Sequence, residues 1–88
     1  MADLHIASCV AYAKPEAMQE AIRAIVGTGL AEVPRTDSAG RMVILIERST
    51  SREVLDAIDA IRALEGVLAV HLAYQHAETE SELQEQQP

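Results

Sequence analysis

The segment Arg41-Met42-Val43-Ile44-Leu45-Ile46-Glu47 constrains this 88-residue chain more than any other. Five large apolar residues stand in a row between two charges. That pattern predicts a central β-strand that is apolar on both faces. A sheet built around it cannot present one purely polar face. A chain of this length buries only about 60% of its unfolded surface, so each apolar face weighs heavily in the outcome.

The flanking sequence supplies the remaining elements. His5 to Tyr12 is a first strand, ending at Lys14-Pro15. Pro15 suits the first position of a helix, where its missing N–H is not needed, and Glu16 favours the same end electrostatically. Met18, Ala21, Ile22 and Ile25 then recur at helical spacing, and Gly27-Thr28-Gly29 stops the helix. Leu30 to Thr36 is a weak strand in which Pro34 lacks an N–H to donate, so it belongs at a sheet edge. Asp37-Ser38-Ala39-Gly40 turns into the apolar strand. Thr50 and Glu53 have the spacing of a reciprocal capping box. Val54, Leu55, Ile58 and Ile61 form the expected buried stripe of a second helix, with Leu64 near its end. Gly66 ends that helix, and Val67 to Gln75 is the last strand. The order β-α-β-β-α-β in so short a chain predicts the α+β, ferredoxin-like arrangement. Two helices then lie on one face of a four-stranded antiparallel sheet of order 4-1-3-2.

The second face of that sheet has no cover. It should alternate to polar residues, and it does not do so cleanly. Met42, Ile44 and Ile46 take one side of the apolar strand, Val43 and Leu45 the other. In the first strand Ile6, Ser8, Val10 and Tyr12 alternate with His5, Ala7, Cys9 and Ala11, and the pattern leaves open which set faces the helices. In the last strand Leu68, Val70 and Leu72 are assigned to the helix side. His71 and Ala73 are assigned to the open side, with Tyr74 and His76 at its rim. An apolar face of this kind is a contact surface for a partner, for a second copy of the chain, or for the tail folding back. His5, Glu47, Tyr74 and His76 are expected to gather at one rim, where a carboxylate can receive a guanidinium group.

Composition narrows the partner. Net charge is −7, which argues against nucleic acid and against stable association with an anionic membrane. It suits a basic peptide. The single cysteine, Cys9, cannot form an internal disulfide, which fits a reducing compartment. The run Leu4 to Ala13 carries Asp3 upstream and no basic residue, so it is taken as a strand and not as a secretory leader. The expected location is cytoplasmic. Candidate chemistry is sparse. His5, Cys9, His71 and His76 show no metal-ligand spacing, and Cys9 has no local base. An acylphosphatase-type site needs an Asn, and the chain contains none. An RNA-recognition sheet needs stacking aromatics on its inner strands, and the chain has two Tyr, no Phe and no Trp. The residues therefore predict a non-enzymatic binding module without metal or cofactor. A homodimeric or small-ligand-sensing regulatory domain of the same fold is the alternative.

Two segments resemble a known family. His5-Ile6-Ala7-Ser8-Cys9-Val10-Ala11 is similar to the opening strand of the NapD proteins, and Glu65-Gly66-Val67-Leu68-Ala69-Val70-His71-Leu72-Ala73-Tyr74 is similar to their closing strand. NapD proteins are assembly chaperones of periplasmic nitrate reductase. The resemblance implies a ferredoxin-like domain over residues 1–76 that binds the twin-arginine signal peptide of the catalytic subunit and restrains export until cofactor insertion is complete. It implies an acidic tail over residues 77–88, expected to be disordered. By motif position Ser8, Val10 and Tyr74 carry over as signal-peptide-binding residues. Val43, Leu45, His71 and Ala73 join them from the sheet-face pattern, and Glu47 as the carboxylate for an arginine. The expected state is a monomer or weak homodimer.

Overall fold

A computed structural model describes residues 4–78 and shows the expected order of elements. These are β1 (Leu4–Tyr12), a 3-10 turn (Pro15–Ala17), α1 (Met18–Gly27), β2 (Glu32–Thr36), β3 (Arg41–Arg48), α2 (Ser51–Arg62) and β4 (Ala69–Glu78). The sheet runs β2-β3-β1-β4 with every neighbouring pair antiparallel. This is the ferredoxin-like order, with the Pro34 strand at an edge. Ala77 and Glu78, expected in the tail, belong to β4, and the rest of that tail lies outside the described residues.

The two inner strands divide the work of the core. Met42, Ile44 and Ile46 of β3 are fully buried, as are Ala7, Cys9 and Ala11 of β1. They stand side by side in register, Ala7 with Ile46, Cys9 with Ile44 and Ala11 with Met42. Large side chains on β3 beside small ones on β1 leave room for Ile25 of α1 and for Val54, Ile58 and Ile61 of α2. The register settles which set of β1 residues meets the helices. Ala7, Cys9 and Ala11 do, so Ile6, Ser8, Val10 and Tyr12 face away. Burying one such isoleucine contributes about 2–3 kcal/mol, a large share of the stability of a domain this small.

Helix ends follow local chemistry, with two departures. The Thr50 hydroxyl oxygen accepts the Glu53 N–H at 3.1 Å, as expected of a cap. The Glu53 carboxylate does not return to the Thr50 backbone. It accepts the Thr50 hydroxyl at 3.1 Å and the Arg48 guanidinium at 3.3 Å. The nearby cation draws it away, so only half of the capping box forms. The buried stripe of α2 is Val54, Ala57, Ile58 and Ile61, whereas Leu55 is 48% exposed. Leu55 sits about 100° round the helix from Val54, which carries it off the buried face.

The last strand also differs from expectation. The Val67 N–H donates to the Leu64 carbonyl, so Val67 belongs to the turn at Gly66. Leu68 reaches β1 through one hydrogen bond, its N–H to the Tyr12 carbonyl at 2.7 Å, but its side chain is 62% exposed. Of the three residues assigned to the helix side, only Val70 is buried; Leu72 is 46% exposed. β4 is an edge strand with a neighbour on one side only, and Leu72 remains half open there. Just past the end of β1, Gly40 has φ 96°, and a Cβ there would strike the Ala13 carbonyl. The Ala13 N–H donates to the Gly40 carbonyl at 2.8 Å, tying the β2–β3 turn to the end of β1.

Candidate functional site

Residues paired across antiparallel strands share a face, so the register lays out the side of the sheet away from the helices in four ranks. Glu47, Ile6 and His76 form the first. Leu45, Ser8 and Tyr74 form the second, with Glu32 beside Leu45. Val43, Val10 and His71 form the third, with Arg35 beside Val43. Arg41, Tyr12 and Ala69 form the fourth. Inter-strand and along-strand spacings make this a surface of about 14 by 20 Å. Its middle is aliphatic and half-buried, with one hydroxyl at Ser8.

Two irregularities produce this layout, one in each edge strand. Cys9 pairs with Leu72 and Ser8 with Tyr74, which leaves Ala73 as an extra residue in β4. Strict alternation would have turned Tyr74 and His76 toward the helices. The bulge at Ala73 returns both to the open face, the one that His71 already occupies. In β2, Glu32 pairs with Leu45 and Arg35 with Val43, so three residues on β2 span two on β3. The shift spans Pro34, whose nitrogen has no hydrogen to give the ladder. It places Glu32 and Arg35 on the same face.

Seven of the expected residues are therefore brought together: Ser8, Val10, Val43, Leu45, Glu47, His71 and Tyr74. Ala73 stands among them as the bulge residue. His5 does not join the rim. It pairs with Arg48 and Ala77, which turns it to the other side of the sheet, since it is one residue out of phase with Ile6. Ile6, Glu32, Arg35 and Tyr12 were not among the expected site residues. The signal for Glu32 and Arg35 was Pro34, a mark of a broken ladder.

The rims differ in chemistry. On the β4 side the rings pair off, Tyr74 stacked on His76 at 6.2 Å and Tyr12 edge-on to His71 at 6.0 Å. On the β2 side, Gly29, Leu30, Ala31, Glu32, Leu45 and Glu47 line a shallow hollow of about 230 Å³. A second hollow of about 420 Å³ is lined by Val10, Arg35, Thr36, Asp37, Arg41 and Val43. There the Arg41 guanidinium meets the Asp37 carboxylate at 2.8 Å. The Arg41 backbone N–H, aided by that of Ala39 and by the guanidinium, holds the Asp37 carboxyl below its ordinary range.

Among the described residues no three or more His, Cys, Asp or Glu side chains gather where they could hold a metal ion. Cys9 lies on the helix side, fully buried, and its burial raises the thiol above its ordinary value, against a smaller opposing effect of Arg62. The histidines divide between faces, His71 and His76 on the open one, His5 on the other. Among the described residues no helix is long and apolar enough to cross a membrane. The open face offers an aliphatic floor, an aromatic rim and carboxylates at one corner, which suits it to holding an apolar, cationic chain.

Comparison with known proteins agrees in sequence and in fold. The family model described as NapD protein matches residues 4–79. The protein named Chaperone NapD from Escherichia coli K12 is 30% identical over 78 residues, covering 88% of this chain and 90% of its own length. The Chaperone NapD of Shigella flexneri matches to the same extent. A solved structure described as the solution structure of the E. coli Tat proofreading chaperone protein NapD superimposes with a TM-score of 0.73 at 29% identity, covering 88% of this chain and 81% of that one. The chain belongs to the NapD family.

Proposed function

We propose, with membership of the NapD family as the premise, that this chain is a chaperone for a twin-arginine signal peptide. Its client is the catalytic subunit of a periplasmic nitrate reductase. It acts in the cytoplasm, where it restrains export until cofactor insertion is complete. It performs no chemistry of its own and carries no cofactor.

The observation that carries this reading is the face of the sheet that neither helix covers. Half-buried Ile6, Val10, Val43 and Leu45 form its floor, and the Glu47 carboxylate stands at its edge. A twin-arginine signal joins two cationic residues to an apolar run, and this face offers a place for each. Ser8, Val10, Val43, Leu45, Glu47, His71, Ala73 and Tyr74 are the residues assigned to peptide binding. The length of the face matches about 13 residues of helix or about six of extended chain. Both hollows are shallow and open, which favours a laid-on peptide over an enclosed small ligand.

Titration calorimetry with the intact signal peptide, and with a form in which both arginines are replaced by glutamine, tests the proposal. Saturable binding at micromolar concentration that weakens without the arginines is expected. No heat from the intact peptide, with a dimer seen by light scattering, would instead assign the face to a second copy of the chain.

A further inference from the structure

We propose that unlike charges on successive ranks of the open face fix the direction in which the peptide lies. The inference rests on the signal-peptide reading and deepens it. Glu47 is two residues from Leu45 on β3, and Glu32 lies directly across from Leu45 on β2. Both glutamates line the hollow that they share with Gly29, Leu30, Ala31 and Leu45. Neither is in an ion pair among the described residues.

One rank further along the same edge the sign reverses. Arg35 lies across from Val43 and is likewise in no ion pair among the described residues. Arg41, at the end of the face, is paired with Asp37 and so contributes little net field. The β2 bulge at Pro34 creates this polarity, because without it Glu32 and Arg35 would point to opposite sides of the sheet. Arg35 then acts against one peptide direction, and the two glutamates act for the other.

A peptide with cations at one end and an apolar run behind them has two ways to lie along the ranks. With its arginines over Leu45, they meet Glu32 and Glu47, and the apolar run extends over Val43 and Val10 toward Tyr12. With the order reversed, the arginines approach Arg35 and leave both carboxylates unmet. A unit charge at about 7 Å, on a surface partly cleared of water, changes affinity by about tenfold or more. The two directions are therefore unequal. The bound peptide has its arginine end at the Glu32–Glu47 corner.

The test uses the full chain, isotopically labelled, and the twin-arginine signal peptide with a nitroxide placed either just before the arginines or at the end of the apolar run. The first label is expected to broaden the amide signals of Glu32, Leu45 and Glu47. The second is expected to broaden those of Arg41 and Tyr12. The Glu32→Gln/Glu47→Gln variant, checked as folded by its amide spectrum, is expected to bind about tenfold more weakly and to blur that contrast. The inverse broadening pattern, equal broadening from both labels in the wild type, or unchanged affinity of the double variant would overturn the direction and leave the chaperone reading standing. Failure of the unlabelled peptide to bind the wild-type chain at all would take down both.

Discussion

The inner and the edge strands of this sheet obey different rules. β1 and β3 alternate without interruption over eight paired positions, from His5 with Arg48 to Tyr12 with Arg41. Each has one set of residues under the helices and one on the open face. β2 and β4 each break step once, at Pro34 and at Ala73. The regular pair carries the core, and a slip of one residue there would turn Ile44 and its neighbours outward. The irregular pair carries Glu32, Arg35, Tyr74 and His76, which add charge and rings to the aliphatic floor, the Glu47 carboxylate and the Tyr12 ring that the inner strands supply. An edge strand has one ladder to satisfy, so it can lose a pairing and re-aim its side chains at modest cost. Here the centre supplies both the core and the floor of the open face, and the margins trim that floor with charge and rings.

Cutting the central side chain away tests the first half of that contrast most severely. Ile44→Ala should lower stability by about 3–5 kcal/mol, read by urea denaturation, because it opens a cavity where the helices meet both inner strands. Whatever fraction stays folded should bind peptide with unchanged affinity. The second half is tested by Tyr74→Ala, which removes a ring from the rim and leaves the β4 ladder in place. Peptide affinity should fall about tenfold, roughly 1.4 kcal/mol, and the loss of stability should be smaller than for Ile44→Ala. If the substitution costs more stability than affinity, Tyr74 belongs to the architecture after all. Thr50→Ala should cost about 1 kcal/mol of stability through the lost cap and leave peptide binding alone, since α2 lies on the covered side.

The smallest effect concerns Asp37. Its folded-state carboxyl lies below the ordinary value near 3.9, chiefly through the Arg41 N–H. The stabilisation it supplies is present above that ordinary value and is lost as pH falls through the lower folded one. Asp37→Asn should therefore flatten the acid end of the stability profile slightly and leave stability at pH 7 relative to pH 6 unaltered. Thermal melts between pH 2 and pH 6 read this directly.

The regular half of the molecule was legible in the sequence. The apolar run from Met42 to Ile46, the glycine stops and the Pro34 edge together point to the observed topology. The parity of β3 reads directly from where its charges lie. β1 was ambiguous because alanine and cysteine on one side and serine and valine on the other differ little in polarity. Only its register against β3 settled the matter. The irregular half was harder to see for a physical reason. A bulge adds a residue without changing composition, so Ala73 looks like any strand alanine, and Tyr74 was assigned to the rim only by its place near the strand end. Glu32 and Arg35 went unassigned because the shift around Pro34 is a property of pairing. Leu55 and Leu68 were misjudged because large size was taken for burial, whereas helix phase and the turn at Gly66 put both in solvent.

The central claim is that the open face, and not the helical one, receives the signal peptide. Methyl-resolved NMR of the full chain during titration with that peptide tests it most directly. The account predicts that the methyl signals of Ile6, Val10, Val43 and Leu45 move with a common binding curve, while those of Ile25, Ile44 and Ile61 stay in place. Shifts concentrated on Ile22, Val26 and Leu55 of the helices, with the open-face methyls unmoved, would contradict it.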